Sequence, residues 1–178
     1  MSSRPPASHR SPRGHGSSRS SATRPARGAP ITVVLAAGHA RWVARARLQL
    51  EAQENVQVVA EAQDVPGAVA AVTAHRPTVV LLDQRIFPGG AARVLPVFRQ
   101  ASPRSRVLMV TPSAADVFVL DVVRRGGHGV LWEDALHTHL IKAIGCLAAG
   151  QAWLTRGQEA QVLASLWELT AAGGSRAG

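Results

Sequence analysis

A doubly wound α/β domain with a five-stranded parallel sheet is the fold this sequence predicts, and three observations predict it. From Ile31 onward, short β-rich runs alternate with alanine-rich helical stretches. The runs are apolar almost throughout, as strands covered on both faces are, rather than alternating apolar with polar. A chain of 178 residues with 46% apolar and 17% charged side chains suits one compact domain with extended ends.

The elements follow in order. Residues 1–30 contain Ser, Arg, Pro and Gly but no Leu, Ile, Val or Phe, so nothing there can offset the entropy of ordering; a disordered Arg/Ser/Pro-rich tail is expected. Strands are expected at 31–36, 56–60, 78–82, 106–110 and 129–132. Helices are expected at 40–52, 65–75, 91–101, 115–125 and 134–149. This is a (βα)5, flavodoxin-like order spanning residues 31–154. Residues 155–178 form a last segment, in which 156–170 can make one amphipathic helix with Val162, Leu163, Leu166, Trp167 and Leu169 on an apolar stripe, closed by Gly173-Gly174 and followed by a flexible end. Docking of that stripe on the domain is favoured over its use as a dimerising extension.

Strands of such a sheet end at one crevice, which places the candidate site at Ala37, Gly38 and His39, at Asp83, at Thr111 and at Glu133. Neither GxGxxG after the first strand nor GxxxxGK[ST] anywhere is present, so the phosphate-cradling loops of nucleotide enzymes are missing. Ala37-Gly38-His39 also lacks the Asp and final Gly of a cobalamin-binding Asp-x-His-x-x-Gly.

The order of strings ITVVLAAGHA, VQVVAEAQD, RPTVVLLDQRI, RVLMVT and AAGQAWL resembles the receiver domain of bacterial response regulators of the NarL/FixJ subfamily. There the corresponding strings read IRVLLADDHA, IEVVGEASD, RPDVVLLDLRM, RVLVLT and AAGELYL. The resemblance runs from Ile31 to Leu154, about 124 of 178 residues. It implies phosphoryl transfer to one Asp, with an acidic pair helping to hold Mg²⁺, a hydroxyl contacting the phosphoryl group and a Lys neutralising its oxygens. Asp83 falls on the acceptor and Thr111 on the switch hydroxyl.

The rest of that constellation departs. The acidic pair falls on Ala37 and Gly38, the lysine on Glu133, and the aromatic switch residue of the fifth strand on Val130. Placing a phosphoryl group on a carboxylate brings negative charge onto negative charge, which only cations make tolerable. At about 4 Å and an effective dielectric near 20, exchanging Lys for Glu turns an attraction of about 4 kcal/mol into a comparable repulsion. The sole lysine, Lys142, stands nine residues beyond Glu133, about 13–14 Å along a helix, too far to substitute. Arg85 either compensates in part or forms a salt bridge with Asp83 or Glu133. Asp83 is thus expected to be a vestigial phosphoacceptor, in an atypical receiver that acts independently of phosphorylation as a regulatory or protein-interaction module in bacterial signalling or transcription control. The alternatives are a small-ligand sensor using the vacated Ala37–Gly38 pocket, and a truncated NarL-type transcription factor, since 24 residues after Leu154 are too few for a helix-turn-helix output domain.

Other residues offer little chemistry. His137 and His139 lie about 200° apart around a helix and cannot share a metal. His39, His75 and His128 are scattered, Ser113 has no identifiable base, and Cys146 sits in the stripe Leu136, Leu140, Ile144, Leu147 as core filler. No catalytic set, metal site or cofactor is implied, so the expectation is a non-enzyme. The charge of +9 sits mainly in the tail, where Arg4, Arg10, Arg13, Arg19, Arg24 and Arg27 face no acid, leaving 14 basic and 11 acidic residues in 31–178. Nucleic acid is therefore expected to bind only weakly, through that tail. One cysteine and no bilayer-length apolar run fit a cytoplasmic setting with no membrane contact. Self-association as a homodimer through the fifth helix and the tail is expected, with Trp132, Trp153 and Trp167 near that surface.

Overall fold

The computed structural model describes residues 28–38, 42–86, 91–112 and 116–174. Residues 1–27, and with them the Arg-rich tail except its last three residues, lie outside the described residues, as do His39, Ser113 and the final four residues. Five strands, β1 (Ile31–Ala36), β2 (Val56–Ala62), β3 (Val79–Asp83), β4 (Arg106–Thr111) and β5 (Gly129–Trp132), form one parallel sheet in the order β2-β1-β3-β4-β5. Helices α1 (Val43–Glu51), α2 (Val65–His75), α3 (Leu95–Ala101), α4 (Asp116–Arg124) and α5 (Leu136–Ala148) connect and cover it, and α6 (Arg156–Gly174) follows. The doubly wound reading holds strand by strand.

Two apolar clusters sandwich the sheet. Alternate residues of β3 serve opposite layers. Val80 and Leu82 pack with Val72, Phe98, Val119 and Val122 beneath α2, α3 and α4, while Val79 and Leu81 pack with Ala46, Leu50, Leu140, Ile144 and Leu147 beneath α1 and α5. All five β3 residues are buried, Asp83 included, which explains why the strand reads as a continuous apolar run. Cys146 is half-buried, at the margin of this packing rather than within it.

Local chemistry sets the helix ends. Asp64 caps α2 by accepting from Gly67 N at 2.7 Å, with Pro66 in the first turn. Two expected helices begin with a tighter turn. A 3₁₀ turn over Ala91–Val94 precedes α3, and another over Glu133–Ala135 precedes α5.

The last segment departs from expectation. After α5 the chain turns back along the sheet edge, where Trp153 bridges Gly129 in parallel, its N–H donating to His128 O at 2.9 Å and its carbonyl accepting from Val130 N at 3.2 Å. Gly129 is needed here because a Cβ would lie 2.8 Å from both the Cβ and the carbonyl oxygen of Trp153. α6 opens with a capping box: Thr155 N donates to Gln158 Oε1 at 2.8 Å, and Gln158 N donates to Thr155 Oγ1 at 3.3 Å. The helix continues through Gly173-Gly174 rather than stopping before them, and lies beside α4. It does not dock by the expected stripe. Gln158 is buried and Val162 half-buried, whereas Leu163, Leu166 and Trp167 are 56%, 50% and 76% exposed. The Leu169 side chain lies outside the described residues. The face that turns inward carries Gln158, Val162 and Ser165, a mixed rather than an apolar set.

Candidate functional site

The carboxyl ends of β1, β3, β4 and β5 converge where the sequence places the site. Asp83 closes β3 with no solvent exposure. Its Oδ1 accepts from the backbone N of Arg85 at 2.9 Å and from Arg85 Nε at 3.0 Å. Its Oδ2 accepts from Arg85 Nη2 at 3.1 Å and from the indole Nε1 of Trp42 at 3.2 Å. A carboxylate offers about four lone-pair directions, so these four N–H donors saturate it. The 3₁₀ turn Gln84–Ile86 is what aims Arg85 back at the residue two places before it.

Arg85 Nη2 also donates to Glu133 Oε2 at 2.9 Å, joining two carboxylates through one guanidinium. Its hydrogen bond to Asp83, with attraction from Asp83 and Glu133, holds the Arg85 guanidinium above its ordinary range despite partial burial. Arg85 belongs to the string that resembles the family, where an arginine also stands. Thr111 is buried at the end of β4, and its hydroxyl donates to Gln84 Oε1.

The degenerate pair adjoins the turn that carries Arg85, where a Cβ at Gly38 would stand 4.0 Å from Arg85 O, but it makes no side-chain hydrogen bond to Asp83. Ala37 is buried and donates its N–H to Ala62 O at 2.9 Å. Ala37 and Gly38 line a separate hollow of about 160 Å³ with Leu35, Val43, Glu61, Ala62 and Gln63. Gly38 is not glycine for want of room, since a Cβ there would be 3.6 Å from Gln63 O and 3.7 Å from Ile86 Cα, ordinary contacts. Val130 is buried against the α4-side layer, with Trp132 beside it on the same face of β5.

The fold family implies Mg²⁺, a hard cation that demands oxygen ligands in near-octahedral geometry. The residues present do not fit it. Ala37 and Gly38 bring no side-chain oxygen, both Asp83 oxygens are filled, and Glu133 is engaged by Arg85. Among the described residues no three His, Cys, Asp or Glu side chains cluster as metal ligands. His137 and His139 are both exposed but face different sides of α5, as their spacing requires, and the ring of His139 stands 6.1 Å from that of Trp153.

Comparison with known proteins decides the family. The signal receiver domain of NarL from Mycobacterium tuberculosis superposes with a TM-score of 0.65 at 30% identity, covering 70% of this chain and all of that domain. The chain belongs to the response-regulator receiver family. Its sequence is also 32% identical over 97 residues to "Probable transcriptional regulatory protein NarL" of Mycobacterium tuberculosis, covering 54% of this chain and 45% of the relative. It is 31% identical over 117 residues to the DNA-binding transcriptional activator DevR/DosR of the same organism, covering 66% of this chain and 54% of the relative. The chain thus spans about half the length of these curated relatives. The isolated receiver domain of RcsB from Salmonella enterica, at 19% identity and a TM-score of 0.65, shares the fold. No protein-family profile matches the chain.

Within this receiver domain Asp83, Thr111 and Glu133 stand at one end of the sheet, where the sequence puts them, and Arg85, for which the sequence offers Asp83 or Glu133 as a partner, meets both. The sequence reading missed Trp42 and Gln84. Trp42 is separated from Asp83 by 41 residues, and no local pattern connects them. Gln84 adjoins Asp83, but its role follows from where β4 ends. No helix among the described residues is long and apolar enough to cross a membrane.

Proposed function

We propose that this receiver domain works as a phosphorylation-independent regulatory module that acts through protein contacts in bacterial signalling or transcription control, without catalysis of its own. The observation that carries the reading is the saturated carboxylate of Asp83. Attack on phosphorus requires a free lone pair on that group, and four N–H donors from Arg85 and Trp42 occupy the available directions. Glu133 contributes a further negative charge where an arriving phosphoryl group needs a cation. The trio of Asp83, Arg85 and Glu133 instead ties β3 to the start of α5. Trp42 and Glu133 also line a cleft of about 580 Å³ between α1 and α5, so a protein docked there contacts both arms of the site.

Incubation with acetyl phosphate and Mg²⁺, followed by intact-mass measurement, is expected to give no phosphoryl adduct. A Mg²⁺-dependent adduct on Asp83 overturns the reading. Combining Ala37→Asp, Gly38→Asp and Glu133→Lys with Arg85→Met is expected to restore some phosphorylation, and Glu133→Lys alone is not, because Arg85 still fills the acceptor and no metal ligand has been added. We also propose a homodimer through α5 and the last segment, supported by the exposed Leu163 and Leu166 on α6. Light scattering at high micromolar concentration tests it, and a monomer refutes it.

The hollow beside Ala37 and Gly38 favours a second reading, a sensor for a small uncharged metabolite. A thermal-shift panel separates the two: a stabilising metabolite whose effect is lost in Gly38→Leu supports the sensor.

A further inference from the structure

The opposite end of the sheet carries a feature that the receiver reading leaves unused. Arg76 ends α2, Arg99 lies in the last turn of α3, Arg104 in the turn that follows, Arg106 opens β4, and Arg124 and Arg125 end α4. Topology gathers them, because parallel strands all begin, and their helices all end, at this one edge. Val79 pairs with Arg106, and Arg106 N donates to Thr78 O at 2.9 Å, which sets the Arg76 turn directly beside β4. A Cβ at Gly126, in the turn after Arg125, would stand 3.6 Å from Arg99 Cδ, and one at Gly150 would stand 3.9 Å from Arg106 Nη2. These contacts place Arg99 beside the end of α4 and Arg106 beside the turn after α5.

Of the six, only Arg125 has an ion-pair partner among the described residues, Asp121 at 2.7 Å. Arg76, Arg99, Arg104 and Arg124 are exposed, and Arg106 is half-buried. The other acids near this edge, Glu51 and Glu54, stand at the far corner beside β2, and Glu51 is paired with Arg47. Cations at helix carboxyl ends offset the helix dipole, which accounts for Arg76 and Arg124. It does not account for Arg104 and Arg106, which lie off the helices. A second, independent observation points the same way. The segment carrying Arg4, Arg10, Arg13, Arg19, Arg24 and Arg27 joins the fold at Ile31, which opens β1 at the amino end of the sheet, on its β2 side, where Ile31 N donates to Asn55 O at 2.8 Å. Only β3 separates β1 from β4, a distance of about 10 Å.

We infer that the amino-terminal edge of the sheet, through Arg76, Arg99, Arg104, Arg106 and Arg124, is a docking surface for the phosphate backbone of nucleic acid, bound without sequence selectivity. The guanidinium fork pairs with two phosphate oxygens at once, and all the cations of this edge are arginines. A nucleic acid suits the surface better than an anionic membrane because none of the exposed large apolar side chains, Leu48, Val97, Leu163, Leu166 and Trp167, belongs to the turns that carry these arginines. Among the described residues this edge is made of strand starts, helix carboxyl ends and turns, so base readout is not part of the proposal.

The test is fluorescence anisotropy of the full chain with two labelled duplexes of unrelated sequence, titrated between about 50 and about 200 mM salt. Both duplexes are expected to bind within about twofold of each other. Arg99→Gln/Arg104→Gln/Arg124→Gln is expected to weaken binding about tenfold or more at the lower salt, and to reduce the slope of log affinity against log salt by about 0.9 for each phosphate that is no longer neutralised. The control Arg93→Gln/Arg156→Gln, exposed arginines away from this edge, is expected to bind as wild type. A second variant, Arg104→Glu alone, guards against misfolding of the triple substitution and is expected to weaken binding while leaving the circular dichroism melt in place. Any of four outcomes overturns the inference: wild-type affinity in the triple variant, equal weakening in the control, strong preference for one duplex, or tighter binding to phosphatidylserine vesicles than to duplex at the same salt.

Discussion

The two ends of the sheet differ less in how much charge they hold than in what the charge is doing. At the carboxyl end, Asp83 and Glu133 share Arg85, and every N–H that reaches Asp83 comes from the chain itself. At the amino end, five arginines have no ion-pair partner among the described residues. One end has turned its charges inward to fasten elements together, and the other presents them to solvent. Net charge therefore says little about partners until the pairing is known, because a neutralised group neither attracts nor repels at a distance.

Substitutions at the two ends should accordingly have opposite signatures. The largest expected effect is Arg85→Ala, which leaves the buried Asp83 carboxylate with no counter-charge. Removing one partner of a buried pair costs about 3–5 kcal/mol, and about 2–3 kcal/mol is expected here because the Arg85 side chain is 34% exposed and water screens it. Urea denaturation measures this, and a loss below about 0.5 kcal/mol would mean that the Asp83–Arg85–Glu133 trio contributes nothing to the fold. Trp42→Phe keeps most of the ring but removes its N–H from Asp83, with an expected loss of about 1–2 kcal/mol. That loss should disappear in an Asp83→Ala background.

A pH effect comes next, and it arises at the amino end. His128 Nδ1 accepts from Val107 N at 3.1 Å, a bond that only the neutral ring can accept. Burial, with the nearby positive charge of Arg106, pushes the His128 pKa below its usual 6.5. The unfolded chain then binds more protons than the folded one, so stability should fall as pH drops below about 6.5 and level off once the folded-state pKa is passed. His128→Gln should flatten that portion of a melting-temperature profile, and an unchanged slope would assign it to other groups. The smallest effect is expected for Arg104→Gln, within about 0.5 kcal/mol of wild type, as suits an exposed arginine without an ion pair. A larger loss would show that the amino end also uses its charges for cohesion.

The sheet is written in the residues themselves, because strands buried on both faces must be apolar throughout, and Val79–Leu82 and Val107–Val110 announce that without help from distant residues. So is the altered site, since Ala37 and Gly38 have no side-chain oxygen in any fold and Glu133 is negative wherever it sits. How the remaining charges pair is a matter of the folded arrangement. Trp42 reaches Asp83 across 41 residues and Arg85 reaches Glu133 across 48, contacts set by strand order and by one 3₁₀ turn rather than by spacing along the chain. The inward face of α6 is settled in the same way. An apolar stripe marks a surface that can be buried, but in the fold α6 turns Gln158 inward and leaves Leu163 and Leu166 facing solvent. The gathering of arginines at one edge is a result of the same kind. Arg76, Arg106 and Arg124 are spread along the sequence, and only the parallel sheet, which starts every strand and ends each of its covering helices at one edge, brings them together.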